Sequence, residues 1–131
     1  MRLIQLVLLS CVLCLASCNK EEGCIEPQSE TKGSWRLIET MMDPGDGSGT
    51  FQSVNSSKWI TIESDGTVLS NSELCEMDLF PNGNNVHTGS LNTSESTISV
   101  SCEPLRYEFD GDYLIIFYPC FCGCAEKYQR S

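Results

Sequence analysis

The sequence predicts an all-β domain: a small eight-stranded antiparallel meander closed into a barrel and stapled by disulfides. Three observations predict it. Short alternating stretches recur along the chain, among them Ile60-Thr61-Ile62, Ile98-Ser99-Val100 and Leu105 to Phe109. That is the pattern of strands with one buried face. Turn-forming pairs such as Asp65-Gly66 and Asp110-Gly111 separate them and favour hairpins between neighbours. Beyond the amino-terminal apolar run, no stretch carries a convincing helical period. An open meander would leave two bare edges. Closing eight strands removes them and encloses side chains or one small ligand. A β-sandwich is the alternative architecture.

The chain divides into residues 1–17, a signal peptide, 18–32, a polar tether, and 33–131, the barrel domain. Met1-Arg2 gives a positive start, and Leu3 to Leu15 is apolar except for Gln5 and Ser10. Such a run suits a signal-peptide core and falls short of the roughly 20 residues that span a bilayer. Leu15-Ala16-Ser17-Cys18 follows it and resembles the lipobox of bacterial lipoproteins. The resemblance implies cleavage before Cys18, diacylglycerol on its thiol, and several acyl chains such as palmitate, which together give durable attachment. Cys18-Asn19-Lys20-Glu21-Glu22 resembles a surface-export signal of some Gram-negative lipoproteins. The implied address is the outer membrane at the cell surface, with a periplasm-facing position as the alternative.

Cleavage leaves 114 residues, enough for one domain with a core. It also removes Arg2, so seven Lys and Arg face 18 acids, a net charge of −11. Phosphates would be repelled, which argues against nucleic acid as a partner. Of nine cysteines, Cys11 and Cys14 leave with the signal peptide and Cys18 is lipidated. Six remain as disulfide candidates: Cys24, Cys75, Cys102, Cys120, Cys122 and Cys124. Outside the cytoplasm, an even count reads as up to three bridges of undetermined connectivity.

In chain order, Gly33 to Met42 is the first strand, with Trp35 and Leu37 on one face. Asp43 to Gly49 is glycine-rich and irregular, with Phe51 and Val54 placed to hold it down. Lys58 to Glu63 alternates, with Ile60 and Ile62 inward, and Thr67 to Asn71 returns after the Asp65-Gly66 turn. Cys75 to Phe80 is ambiguous, Pro81 to Asn85 a loop, and Val86 to Leu91 a short strand. Thr97 to Cys102 places Ile98, Val100 and Cys102 on one face. Leu105 to Phe109 alternates most clearly, Tyr113 to Tyr118 is apolar on both faces, and Ala125 to Arg130 closes with Tyr128 inward.

Gly33-Ser34-Trp35 at the first strand, the meander order and Arg130 in the last strand resemble the lipocalin pattern. That resemblance implies an indole packed against the late arginine. Trp35-Arg36-Leu37 through Phe51, the hairpin Ile60-Thr61-Ile62 to Asp65-Gly66-Thr67 and the ending Glu126-Lys127-Tyr128 also look like small lipocalin-like lipoproteins of Gram-negative envelopes. The chain departs from secreted lipocalins in its short strands, its missing carboxy-terminal helix and its cysteine content.

With odd strands rising from a base, Cys75, Cys102, Cys120, Cys122 and Cys124 fall at the opposite rim. Glu103 then lies opposite Cys120, which predicts Cys102 within reach of Cys120 or Cys122. A bond inside Cys-x-Cys is strained, so partners elsewhere in the chain are expected. Cys24 reaches the rim on a tether of about 3.3 Å per residue. Cys120-x-Cys122-x-Cys124 lacks the spacing and histidines of a zinc site. The loop around Asp43 and Asp46 offers oxygens for calcium but lacks the EF-hand spacing and closing glutamate. His87 stands alone, and no Gly-x-Ser-x-Gly or phosphate loop is present. Glu103 with Glu108, and Asp110 with Asp112, fit turn and surface positions. No catalytic residues, metal or cofactor are assigned, and the ligand-binding residues are unknown. The expected role is a non-enzymatic binding module, anchored to the membrane by its lipid, for a small apolar ligand or an envelope partner. The alternative is a structural or inhibitory protein acting through contacts at the barrel rim.

Overall fold

A computed structural model of the chain describes residues 31–81 and 84–131. The signal peptide, Cys18, Cys24 and most of the tether lie outside the described residues. Nine strands form one sheet: β1 (Gly33–Met42), β2 (Gln52–Ser53), β3 (Trp59–Ile62), β4 (Thr67–Ser70), β5 (His87–Asn92), β6 (Thr97–Ser99), β7 (Leu105–Asp110), β8 (Tyr113–Tyr118) and β9 (Cys124–Arg130). The order is β2-β1-β3-β4-β5-β6-β7-β8-β9, and β1 also pairs antiparallel with β9. Eight strands therefore close into an antiparallel barrel, with β2 added outside on β1. That closure removes the sandwich alternative. The short strand β2 does not stand out in the sequence, because its two residues are both polar and exposed.

The hairpin turns follow local chemistry. At the β3–β4 turn the Glu63 N–H donates to Thr67 O, and the Thr67 N–H to the Asp65 carboxylate, while Gly66 takes a φ of +85° that suits glycine. The β1–β9 seam runs from Trp35 opposite Arg130 to Met42 opposite Cys124. A bulge between Leu37 and Glu39 resets its register. The bulge pairs Glu39 with Lys127, whose charged groups lie 3.4 Å apart, and brings Thr40 opposite Glu126.

Inward side chains form one continuous core: Trp35, Leu37, Ile60, Ile62, Val68, Ile98, Leu105, Tyr107, Leu114, Ile116, Tyr118 and Tyr128. Each buried leucine or isoleucine contributes about 1.5–3 kcal/mol. At the base, the Arg130 guanidinium lies 4.2 Å from the centre of the Trp35 ring and donates to Lys32 O. This is the indole–arginine packing that the Gly-x-Trp pattern implied. Outward aromatics on β8 are covered by cations instead: Arg106 over Phe117 and Lys127 over Tyr113.

One strand is shorter than its alternation suggests. β6 ends at Ser99, and Cys102 is exposed in a bend with Ser101 and Glu103. Ile98 is buried and Val100 half-buried, so the shared face stops two residues before the cysteine. The Cys102 side chain is needed elsewhere, as its disulfide shows.

Candidate functional site

Among the described residues, the buried polar cluster, the disulfides and the exposed apolar side chains gather at the rim, where β1, β4, β6 and β8 end and β3, β5, β7 and β9 begin. It has two layers, a buried polar cluster and an exposed surface above it.

Lys58 enters β3 in phase with Ile60 and Ile62, and Glu126 lies on β9 in phase with Tyr128, so both point into the barrel. Both are fully buried. The Lys58 amine donates to Glu126 Oε1 and Oε2 at 3.0 and 2.9 Å and to the Glu76 carbonyl at 3.3 Å. The hydroxyls of Tyr118 and Tyr128 donate to Glu126 Oε2 at 2.6 and 2.5 Å. Burial, followed by the Glu126 charge beside it, pushes the Tyr118 hydroxyl well above its ordinary pKa. Burial does the same to Tyr128, with the neighbouring Tyr118 and Glu126 adding to it. Every member of the cluster is satisfied, and the carboxylate is fully occupied by donors. Such a network fixes structure; it offers no free base or nucleophile to a substrate.

What it fixes is the segment 71–80, which crosses the barrel mouth as a lid. Leu74 is buried in the core, and the Glu76 carbonyl sits on Lys58. The Ser56 hydroxyl donates to Leu79 O at 2.5 Å, and Cys75 is bonded to Cys102. Met77 and Leu79 pack on the core from above.

The cysteines resolve differently from the expected pairing. Cys102 joins Cys75, with Cα atoms 5.9 Å apart, and not Cys120 or Cys122. β5 is the only strand between β4 and β6, so a lid leaving β4 meets the bend after β6 directly. Cys120 joins Cys124, also at 5.9 Å, inside the stretch expected to look elsewhere for partners. Strain forbids the one-residue spacing, but Tyr118 and Cys124 are register partners across the β8–β9 hairpin. Cys120 therefore stands two residues from the partner of Cys124, and Gly123 at a φ of +95° completes the turn. Cys122 has no disulfide partner among the described residues.

The loop after β1 locks onto this hairpin: the Asp43 N–H donates to Gly123 O, and Gly45 lies against Cys122. The Asp43 carboxylate accepts the N–H groups of Gly45, Gly47 and Gly49. Those bonds, that of Gly45 foremost, hold its carboxyl below the ordinary value. Asp46 accepts from Ser48 in the same way. The two calcium candidates thus spend their oxygens on loop backbone, and no cluster of three metal-ligating side chains occurs among the described residues. His87 sits at the start of β5, its Nδ1 3.1 Å from Glu73. Glu103, Glu108, Asp110 and Asp112 are exposed, and Glu108 pairs with Arg106.

Among the described residues, four large apolar side chains are exposed: Met42 (75%), Phe80 (67%), Val86 (55%) and Phe121 (107%). All four belong to the rim. Met42 ends β1, Phe80 and Val86 flank the loop entering β5, and Phe121 tops the Cys120–Cys124 bridge. At the opposite end, an open groove of about 320 Å3 runs along Thr31, Glu63 to Gly66, Leu91 and Thr93 and is mainly polar.

The Lys58–Glu126 pair escaped the sequence reading although the signal was present. Strand alternation places each among inward apolar residues, and one buried charge calls for its opposite. Comparison with protein-family models, curated proteins and solved structures finds no match for this chain. The fold and site define a closed, disulfide-stapled antiparallel barrel with a lidded mouth.

Proposed function

We propose that this protein is a lipid-anchored binding module, not an enzyme, that holds a partner protein at its rim. The observation that carries the reading is a contrast. The barrel interior is packed with buried side chains from Trp35 to Tyr118, while the exposed large apolar residues among those described all stand at one end. A packed interior disfavours the small-ligand version of a barrel's role. Exposed aromatics on a rigid frame favour a protein contact, since buried aromatic anchors supply much of the energy of such interfaces. The Cys120–Cys124 and Cys75–Cys102 bridges hold the rim in one shape, which lowers the entropy lost on docking. The lipobox-like Leu15 to Cys18 stretch supports anchoring through Cys18 to the outer membrane, and Lys20-Glu21-Glu22 supports display at the cell surface. β1 starts at the base, so an anchor upstream of it would attach at that end and leave the rim free to face outward.

A photo-reactive amino acid in place of Phe121, in cells making the full chain, tests the rim. We expect a discrete adduct that excess unmodified protein competes away, and none from the same group in place of Asp65 at the base. Adducts at Asp65 alone, or at neither position, reject the rim reading. Protease added to intact cells tests the address: shaving of the protein is expected, and complete protection would place it facing the periplasm.

A further inference from the structure

The chemistry of the rim also narrows the kind of partner, an inference that rests on the rim reading above. The described segments forming the rim are 42–50, 71–81, 84–86, 100–104 and 119–123. They carry six acids (Asp43, Asp46, Glu73, Glu76, Asp78 and Glu103) and no lysine or arginine. Asp46, Glu73, Glu76 and Glu103 are exposed. Just below them, Lys58 is fully buried and committed to Glu126, and Arg106, exposed at the second residue of β7, is paired with Glu108. The exposed Met42, Phe80, Val86 and Phe121 therefore stand among carboxylates with no lysine or arginine on the same segments, and the nearby Arg106 is taken up by Glu108.

We infer that the rim docks a protein surface whose apolar patch is fringed by lysine or arginine. Apolar contact gives such a complex its lifetime, while the opposite charge speeds encounter and rejects acidic surfaces. An anionic bilayer is the wrong occupant on the same grounds, because approach would set four exposed carboxylates against lipid phosphates. The two bridges matter here as well. Phe121 is held clear of the barrel by a loop closed at Cys120 and Cys124, so it meets a partner without first being ordered.

The test uses the lipidated protein in phosphatidylcholine nanodiscs and two labelled amphipathic peptides, one of leucine and lysine, the other of leucine and glutamate. Fluorescence anisotropy reads binding, with empty nanodiscs as the blank. The leucine–lysine peptide should bind and the leucine–glutamate peptide should not. Binding should weaken several-fold between about 50 and about 500 mM salt. Phe121→Ser should weaken it about tenfold, and Glu76→Gln with Glu103→Gln several-fold, while Asp65→Asn at the base leaves it unchanged. These are surface positions, and circular dichroism confirms the fold of each variant. Equal binding of both peptides, or indifference to Phe121→Ser, overturns the inference. A second arm mixes the unlipidated Cys18→Ser chain with phosphatidylcholine–phosphatidylglycerol vesicles. Co-sedimentation abolished by Phe121→Ser would assign the rim to lipid and also overturn it. A rim cross-link in cells without charge preference among the peptides removes the partner class and leaves the rim reading standing; absence of that cross-link removes both.

Discussion

At the scale of residues, the barrel depends on one buried ion pair. Lys58 and Glu126 have no exposed surface, and among the described residues each is the other's only charged partner inside the core. Removing one strands the other, so Lys58→Met should cost about 3–5 kcal/mol in urea unfolding. Adding Glu126→Leu removes the stranded charge, and the double variant should be more stable than Lys58→Met alone. Losses that simply add would mean the two residues act separately. The tyrosines supply a pH dependence whose sign can be worked out. Folding raises the Tyr118 and Tyr128 hydroxyls well above 10.0, their ordinary value. Below that pH both are protonated, folded or unfolded. Above it the unfolded chain releases protons that the folded chain keeps, so stability falls as pH rises. Alkaline unfolding should set in above about pH 10 and be shallower in Tyr118→Phe. Alternation in the sequence already put both charged residues on inward faces. What it lacked was the pairing of distant strands, which decides that they meet.

At the scale of elements, alternation and turn pairs located the main strands within a few residues, because both signals are local. The bulge at Ile38, the strand β2 and the lid were not legible in the same way. A bulge is visible only against its partner strand, and the lid's burial comes from capping the mouth rather than from any period of its own. The disulfides show the same divide. Their shared end of the barrel followed from strand order, whereas the pairing turned on where the bend after β6 points. Peptide mapping without reduction should recover Cys75 linked to Cys102 and Cys120 linked to Cys124. The first closes a separation of 27 residues and the second of four. Replacing both cysteines of each pair by serine should therefore cost about 3–4 kcal/mol for the first and about 2 kcal/mol for the second. At the base, Gly33 holds a φ of +146°, and a Cβ there would lie 2.8 Å from Arg130 Nη1. The guanidinium can shift, but the backbone strain remains. Gly33→Ala should lose about 1–3 kcal/mol and alter the near-ultraviolet signal of Trp35.

At the scale of the molecule, two ends of one barrel carry different chemistry. The base is sealed by Trp35 and Arg130 and ringed by polar turns. The rim is lidded, bridged, acidic and apolar at its tips. The sequence made that polarity partly legible, since meander order alone sends five cysteines to one end. The packed interior was not legible, because alternation marks inward faces without saying whether they touch. The central claim is that the protein works at its rim and not within its barrel. Hydrogen exchange followed by mass spectrometry, on the purified protein with and without solubilised extract of the cells that make it, tests it most directly. Slowed exchange confined to residues 71–81 and 119–124 is the predicted result. Slowed exchange across β3, β4 and β7 with an unchanged rim would contradict it, because that is the signature of a ligand held inside.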